Sequence, residues 1–226
     1  MQPTDSPPPL SAKQLAAQAR CAAMVAHARA QIMAVGVDRF SVNEVLRLSG
    51  GSKATLAKYF DDRNGLIAAA IREEALGAVA ALHLDSAEAR AEPLAQALAR
   101  ALTGVLRFYL SAGSLALYRA VISAAPASAG AAQAFYEQGH RVIVNGVAAL
   151  LEARQPQDVR ADLDCADVAD QLLHAIRAGT YERALIGLSE GTGDEAGDAA
   201  GDAAIEARIA ATLALALPGI ESPRTA

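Results

Sequence analysis

Ser52-Lys53-Ala54-Thr55 is a run of small and polar residues opening a short helical pattern, with Lys58 one turn further on. A helix that begins this way offers backbone amides and the positive end of its dipole to an anion, and the two lysines add charge. The matching chemistry is phosphate, the repeating group of nucleic acid. The other reactive side chains form no such constellation. His27, His83, His140 and His174 have no i, i+4 partner of metal type, so no metal site is expected. No Ser-His-Asp order, phosphate loop, dinucleotide glycine pattern or paired carboxylates can be picked out. No catalytic residue, enzyme activity or cofactor is therefore expected. Cys21 and Cys165 lie far apart in no metal spacing and read as reduced, inert thiols.

The elements that position the Ser52–Lys58 run are short. From Ser41 to Phe60 the chain reads SVNEVLRLSGGSKATLAKYF. Ser41-Val42-Asn43-Glu44 has the form of a capping box, with the hydroxyl taking an amide and Glu44 reaching back. Val45 and Leu48 are expected to face inward, and the helix stops at Ser49-Gly50-Gly51. Ser52 caps the next helix, whose Leu56 and Phe60 share an inner face. Before them a helix is expected from about Lys13 to Val35, stopped by Gly36. Two short helices joined by a tight glycine turn make a helix-turn-helix, in which the second helix can enter a DNA major groove. Two ordinary short helices of a bundle are the alternative.

Helical patterns continue beyond. Asp61-Asp62 breaks and caps a helix expected from Arg63 to Leu84, with Leu66, Ile67, Ile71 and Leu76 apolar. The chain turns around Asp85–Glu92, and Pro93 opens a helix to about Ser111. Gly113-Ser114 should separate it from a helix over Leu115–Ala125, stopped by Pro126. A long helix follows over Ser128–Arg154, ended by Pro156. Asp164 caps a helix to Leu188, with Asp167 near its positive end. Ser189–Asp202 reads as a solvated loop. A last helix is expected from Ala203 to Leu217, before Pro218-Gly219.

The chain has 226 residues, with 53% hydrophobic and 4% aromatic residues and no Trp. Much of the hydrophobic share is alanine, the best helix former, so the fold class is all-α with close helix contacts. Charge is uneven. Residues 1–63 carry eight Lys/Arg against five Asp/Glu, a net +3, and hold every lysine. Residues 64–226 carry twelve Arg against twenty Asp/Glu, a net −8. A basic head on an acidic body is suited to meeting a polyanion. No apolar run reaches the roughly 18–20 residues of a membrane span. The proline-rich start, MQPTDSPPPL, lacks a secretory pattern and reads as a flexible tail, so a cytoplasmic location is expected.

Residues 20–68 resemble the DNA-binding domain of the tetracycline-repressor (TetR) family. The resemblance rests on Gly36, Ser41-Val42, GGSKATLAKYF and DDRNGL at the family's spacing. It implies phosphate contact by Ser41, a groove-facing set of Ser52, Lys53, Ala54 and Thr55, and phosphate contact by Tyr59. Lys58 stands where the family often has His, and Arg63 where a basic residue grips the backbone. Ala57 replaces a frequent tyrosine, Gly51 an apolar residue that packs the turn, and Leu46 a small residue. More weakly, APASAGAAQAFYEQGHRVI and LLHAIRAGTYERALIGL resemble one branch's C-terminal half, called AefR-like.

The resemblance implies three parts. They are a tail over 1–12, a three-helix helix-turn-helix DNA-binding domain over 13–66, and a helical ligand-binding and dimerisation domain over 67–226. It also implies a homodimer joined through Asp164–Leu188 and Ala203–Leu217, a palindromic double-stranded DNA operator, and a small-molecule effector. The apolar residues of those two helices, Leu172, Leu173, Ile176, Leu185, Ile209, Leu213 and Leu217, read equally as core. Candidate effector contacts are Phe108, Tyr109, Tyr118, Phe135, Tyr136, His140 and Arg177, since aromatic and polar-tipped residues suit a pocket. Tyr181 belongs to the same aromatic set, and ordinary packing is the alternative for each. Arg107, His140 and Arg177 could face an anionic ligand or lie at the surface. The expected function is a transcriptional regulator, a repressor released by its ligand. The rival readings are an all-helical enzyme and a helical small-molecule or protein-interaction module without operator binding.

Overall fold

The structure is a computed structural model and describes residues 11–37, 39–84, 91–124, 129–155, 157–188 and 199–222. The expected tail therefore lies outside the described residues except for its end. There Ser11 accepts the Gln14 amide and Gln14 returns a bond to the Ser11 amide, a complete capping box that starts α1, Ala12–Val35. Met24, Ala28 and Ile32, four residues apart, form the buried stripe of α1. Gly36, at φ 79°, ends it.

Helices α2 (Val42–Ser49) and α3 (Lys53–Tyr59) follow, joined at Gly50, whose φ of 64° is left-handed. The box expected at Ser41 is only half formed. Its hydroxyl accepts the Glu44 amide, but Glu44 turns to Arg47, and Gln31 of α1 takes the Ser41 amide at 2.7 Å. Tertiary packing supplied a better partner than the local one. Leu48 is 49% exposed, against expectation, while Val45 and Leu46 are buried. The inward face of α2 runs through Val42, Val45, Leu46 and Ser49, which leaves Leu48 to one side. Leu46 and Met24 together fill the space that a side chain at Gly51 would occupy, since a Cβ there would meet Met24 Sδ at 2.9 Å and Leu46 Cδ2 at 3.3 Å.

Asp62 caps α4, Arg63–Ala81, by accepting the Gly65 amide at 2.9 Å. Leu66, Ile67, Ala70, Ile71 and Ala75 make its buried face, and Leu76, one residue out of phase, is exposed. α4 belongs to two cores. Leu66 and Ile67 pack with Met24, Phe40 and Val45 in the head. Ala75 packs with α5, Leu94–Leu110, in the body.

The body is centred on α5, which buries Leu94, Ala97, Leu98, Ala101, Leu102, Val105 and Leu106. α6 spans Ala112–Ala124, so the break falls at Ser111 and not at Gly113-Ser114. Gly113 is instead a close-approach position inside the helix, where any Cβ would overlap the Met33 side chain of α1. Pro126 and Pro156 lie outside the described residues. The expected long helix is present over the described residues as α7 (Ala129–Ala134), a π-helical turn (Phe135–His140) and α8 (Arg141–Glu152).

Asp164 caps α9 through the Ala166 and Asp167 amides, but α9 ends at Arg177. Gly179, at φ 83°, breaks the run before the short α10, Thr180–Leu185. Of the expected loop, 189–198 lies outside the described residues and Ala199–Asp202 is already helix. The last helix, α11, runs from Ala199 through Pro218 to Ile220. The Arg160 amide holds its end by donating to the Ile220 carbonyl at 3.0 Å. Gly201–Ile220 is also apolar enough and long enough to cross a membrane, contrary to the sequence expectation, with mean hydropathy 1.5. One side of it, Ile205, Ile209 and Leu213, is buried in the body core.

Candidate nucleic-acid interface and inner cavity

On α3 the residues expected to face the groove stand outward, except Thr55, which is half-buried. Ser52, Lys53, Ala54, Ala57, Lys58 and Tyr59 are exposed, while Leu56 and Phe60 pack on the head core. The Ser52 hydroxyl accepts the Thr55 amide at 3.1 Å and lies 3.0 Å from the Thr55 hydroxyl, so the two share a small polar ridge. The Lys58 ammonium lies 5.0 Å from the Tyr59 ring centre, a cation–π pair that extends both along one edge. Ser41 is half-buried as the cap of α2. Arg63 is partly committed inside the head. It donates to the Val37 carbonyl at 2.7 Å and stacks over Phe40. Sequence reasoning missed the neighbours that α1 brings to this face. Lys13 and Arg20 line a groove of about 310 Å³ shared with Thr55, Lys58 and Tyr59. Their signal was present in the i, i+7 spacing of two cations on α1.

The second site is inside the body. Phe108, Tyr109, Tyr118, Phe135, His140 and Arg177 all line one cavity of about 40 Å³, closed further by Tyr181 and by Ile71, Glu74 and Ala75 of α4. The rings touch edge to face, with Tyr118 5.1 Å from Phe135 and 5.9 Å from Tyr181. Tyr136 lies outside the cavity and is half exposed. The π-helical turn explains the split. It inserts an extra residue per turn, so Phe135 and His140 point to the cavity and Tyr136 does not. Arg107 is on the surface and pairs with Asp202 at 2.9 Å.

Polar groups meet at one end. His140 Nε2 is 2.8 Å from Asp170 Oδ1, and Arg177 Nη2 is 2.9 Å from His140 Nδ1. Arg177 also donates to the Tyr109 hydroxyl at 3.3 Å and sits 4.7 Å over the Tyr109 ring. Burial holds the His140 imidazole below its usual range, and the Arg177 charge adds to this, against the pull of Asp170. Burial pushes the Tyr109 and Tyr181 phenols up, so both stay protonated. Asp170, His174 and Arg177 follow i, i+4, i+7 spacing on α9, a signal the sequence held.

Folding also gathers His140, Asp170 and His174, whose ligand atoms lie within 4.8 Å of one another. The sequence reading gave no histidine an i, i+4 partner of metal type, but Asp170 stands four residues before His174. Arg177 can only donate, so His140 Nδ1 accepts and Nε2 carries the proton toward Asp170. His174 Nδ1 likewise donates to the Asp170 carbonyl at 2.8 Å. The two thiols are unpaired, and burial raises both.

A three-helix head with an outward α3, on a helical body with an inner cavity, is the architecture of a helix-turn-helix transcriptional regulator. The chain belongs to the TetR family. Residues 96–211, more than half of it, match the C-terminal domain of the AefR-like transcriptional repressors. Solved structures agree in fold. A TetR-family regulator from Mesorhizobium loti has a TM-score of 0.68 at 18% identity, covering 88% of this chain and 97% of that one. The flavonoid-responsive regulator FrrA has a TM-score of 0.64 at 24% identity, covering 91% and 98%. A TetR-family regulator from Rhodococcus sp. has a TM-score of 0.64 at 17% identity, covering 88% and 99%. No curated protein matches the sequence.

Proposed function

We propose that the chain acts as a homodimeric repressor that binds a near-palindromic operator and is released by a small molecule. The outward polar face of α3 supports this reading best. Ser52, Lys53, Ala54 and Thr55 would meet the major groove, with Lys58, Tyr59, Ser41 and Arg63 on the flanking phosphates. The capped N-terminus of α3 favours phosphate by its free amides and dipole.

Dimerisation is supported by an open groove of about 490 Å³ between α9 and α11, lined by Val168, Gln171, Ala175, Arg208, Ala211 and Leu215. Leu215 is 87% exposed, an apolar side chain without cover. The apolar residues expected at this surface, Leu172, Leu173, Ile176, Ile209 and Leu213, are buried within the chain itself. Coupling is supported by α4, which carries head core at Leu66 and cavity wall at Ile71, Glu74 and Ala75. A ligand that spreads the cavity would move one rigid helix that both ends share.

Selection of random duplex DNA by the purified protein at two salt concentrations tests the reading. A palindrome with half-sites about one turn (~34–36 Å) apart, recovered less well at high salt, is the expected result. A folded protein that selects nothing would favour an interaction module over an operator binder.

A further inference from the structure

The geometry points to a divalent transition-metal site on the outer side of the body, with His140, Asp170 and His174 as its protein ligands. The site does not depend on the operator reading. His140 closes the π-helical turn, and Asp170 and His174 stand one turn apart on α9. Their ligand atoms lie within 4.8 Å of one another, little more than the width of one coordination sphere, roughly 4 Å.

The spacing fits one ion. Two imidazoles bound to a tetrahedral zinc at about 2.0–2.1 Å have ring centres about 5 Å apart. The His140 and His174 rings are 5.5 Å apart and nearly perpendicular. His140 Nε2 and Asp170 Oδ1 are 2.8 Å apart, and two ligands of one zinc stand about 3.3 Å apart, so a shift of about half an ångström admits the ion. The Asp170 and His174 side chains are 44% and 59% exposed, which leaves that shift free and lets water fill the remaining positions.

His174 is already oriented for the role. Its Nδ1 donates to the Asp170 carbonyl at 2.8 Å, the outer contact that metal-bound histidines ordinarily make, and its Nε2 lone pair is left bare. The ligand types choose the metal. Two imidazoles and one carboxylate suit zinc or cobalt, whereas magnesium and calcium take oxygen ligands.

Arg177 holds the affinity down. Its Nη2 donates to His140 Nδ1. A metal on Nε2 moves the imidazole proton from Nε2 to Nδ1, so Arg177 must leave that nitrogen and keep the Tyr109 hydroxyl. Its charge also lies one ring away from the ion. Filling the site therefore frees Arg177 at the wall of the inner cavity.

The test is calorimetric titration of the full-length, untagged protein with zinc chloride, with magnesium chloride as control, and the visible spectrum with cobalt chloride. One zinc per chain and cobalt bands distinct from those of the hydrated ion are expected. His174→Ala, at an exposed side chain, and Asp170→Asn should each weaken zinc binding by roughly 100-fold or more, beyond what an outer-sphere loss costs. Arg177→Gln removes the charge and offers the Nδ1 proton an acceptor, so it should tighten zinc binding roughly 10-fold. Should that variant misfold, the His174 and Asp170 variants carry the test. No zinc binding, equal binding of magnesium, a cobalt spectrum unchanged from the hydrated ion, or zinc binding that survives His174→Ala and Asp170→Asn overturns the site. Unchanged or weaker zinc binding by a folded Arg177→Gln overturns the part given to Arg177.

Discussion

Arg177 Nη2 lies 2.9 Å from His140 Nδ1, and this pair sets the protonation of the inner site. A guanidinium has no acceptor, so the imidazole must offer its lone pair at Nδ1 and carry its proton at Nε2, toward Asp170 2.8 Å away. His140 is thereby neutral, and its pKa in the folded chain is lowered by burial first and then by Arg177.

The sign of the pH effect follows. Below the ordinary value of 6.5 the unfolded chain protonates this histidine before the folded chain does. The unfolded state then binds more protons, so stability falls on acidification below that value. Asp170, His174, Arg177 and Tyr136 lie against the ring. Urea midpoints at pH 7.5 and 5.5 should drop more for the wild type than for His140→Gln. Equal drops would show that His140 does not carry the effect.

The α3 face makes a separate prediction. Lys53 and Tyr59 are exposed, so Lys53→Ala and Tyr59→Phe should leave folding intact. Each should weaken operator binding several-fold, and Lys58→Ala, which removes a charge from the flanking phosphates, should reduce the slope of log affinity against log salt by about 0.9. Fluorescence anisotropy across salt concentrations measures both. Unchanged affinity in both variants would remove α3 from the groove.

Leu215 decides the dimer surface. Leu215→Glu places a charge in the α9–α11 groove without touching the core, and sedimentation should show monomers. Leu185 is a poorer probe, because it packs against the body core and a charge there would unfold the chain. A dimer that survives Leu215→Glu would move the interface elsewhere.

Gly113 tests the seam between head and body. A Cβ there would meet the flexible end of the Met33 side chain, so Gly113→Ala should leave stability nearly unchanged as Met33 turns aside, whereas Gly113→Leu should cost about 1–3 kcal/mol by overpacking. Thermal unfolding measures both. Equal stability of the two variants would mean that the seam has spare room.

Local chemistry was legible in the chain itself. The starts at Ser52, Asp62 and Asp164, the stop at Gly36 and the Gly50 turn depend on neighbours within four residues, and those rules act before any tertiary contact. The TetR-like head was legible for the same reason, since its signature lies in one continuous run. Tertiary packing decided the rest. It gave the Ser41 amide to Gln31 in place of Glu44, and it turned Gly113 from an expected break into a contact with Met33. The cavity joins α4, α5, α6, the π-helical turn, α9 and α10, and no spacing rule links residues so far apart. The charge on Arg177 was visible in the sequence; its place beside His140 and the Tyr109 hydroxyl was not, because the partners in a buried site depend on which side chains arrive from other helices.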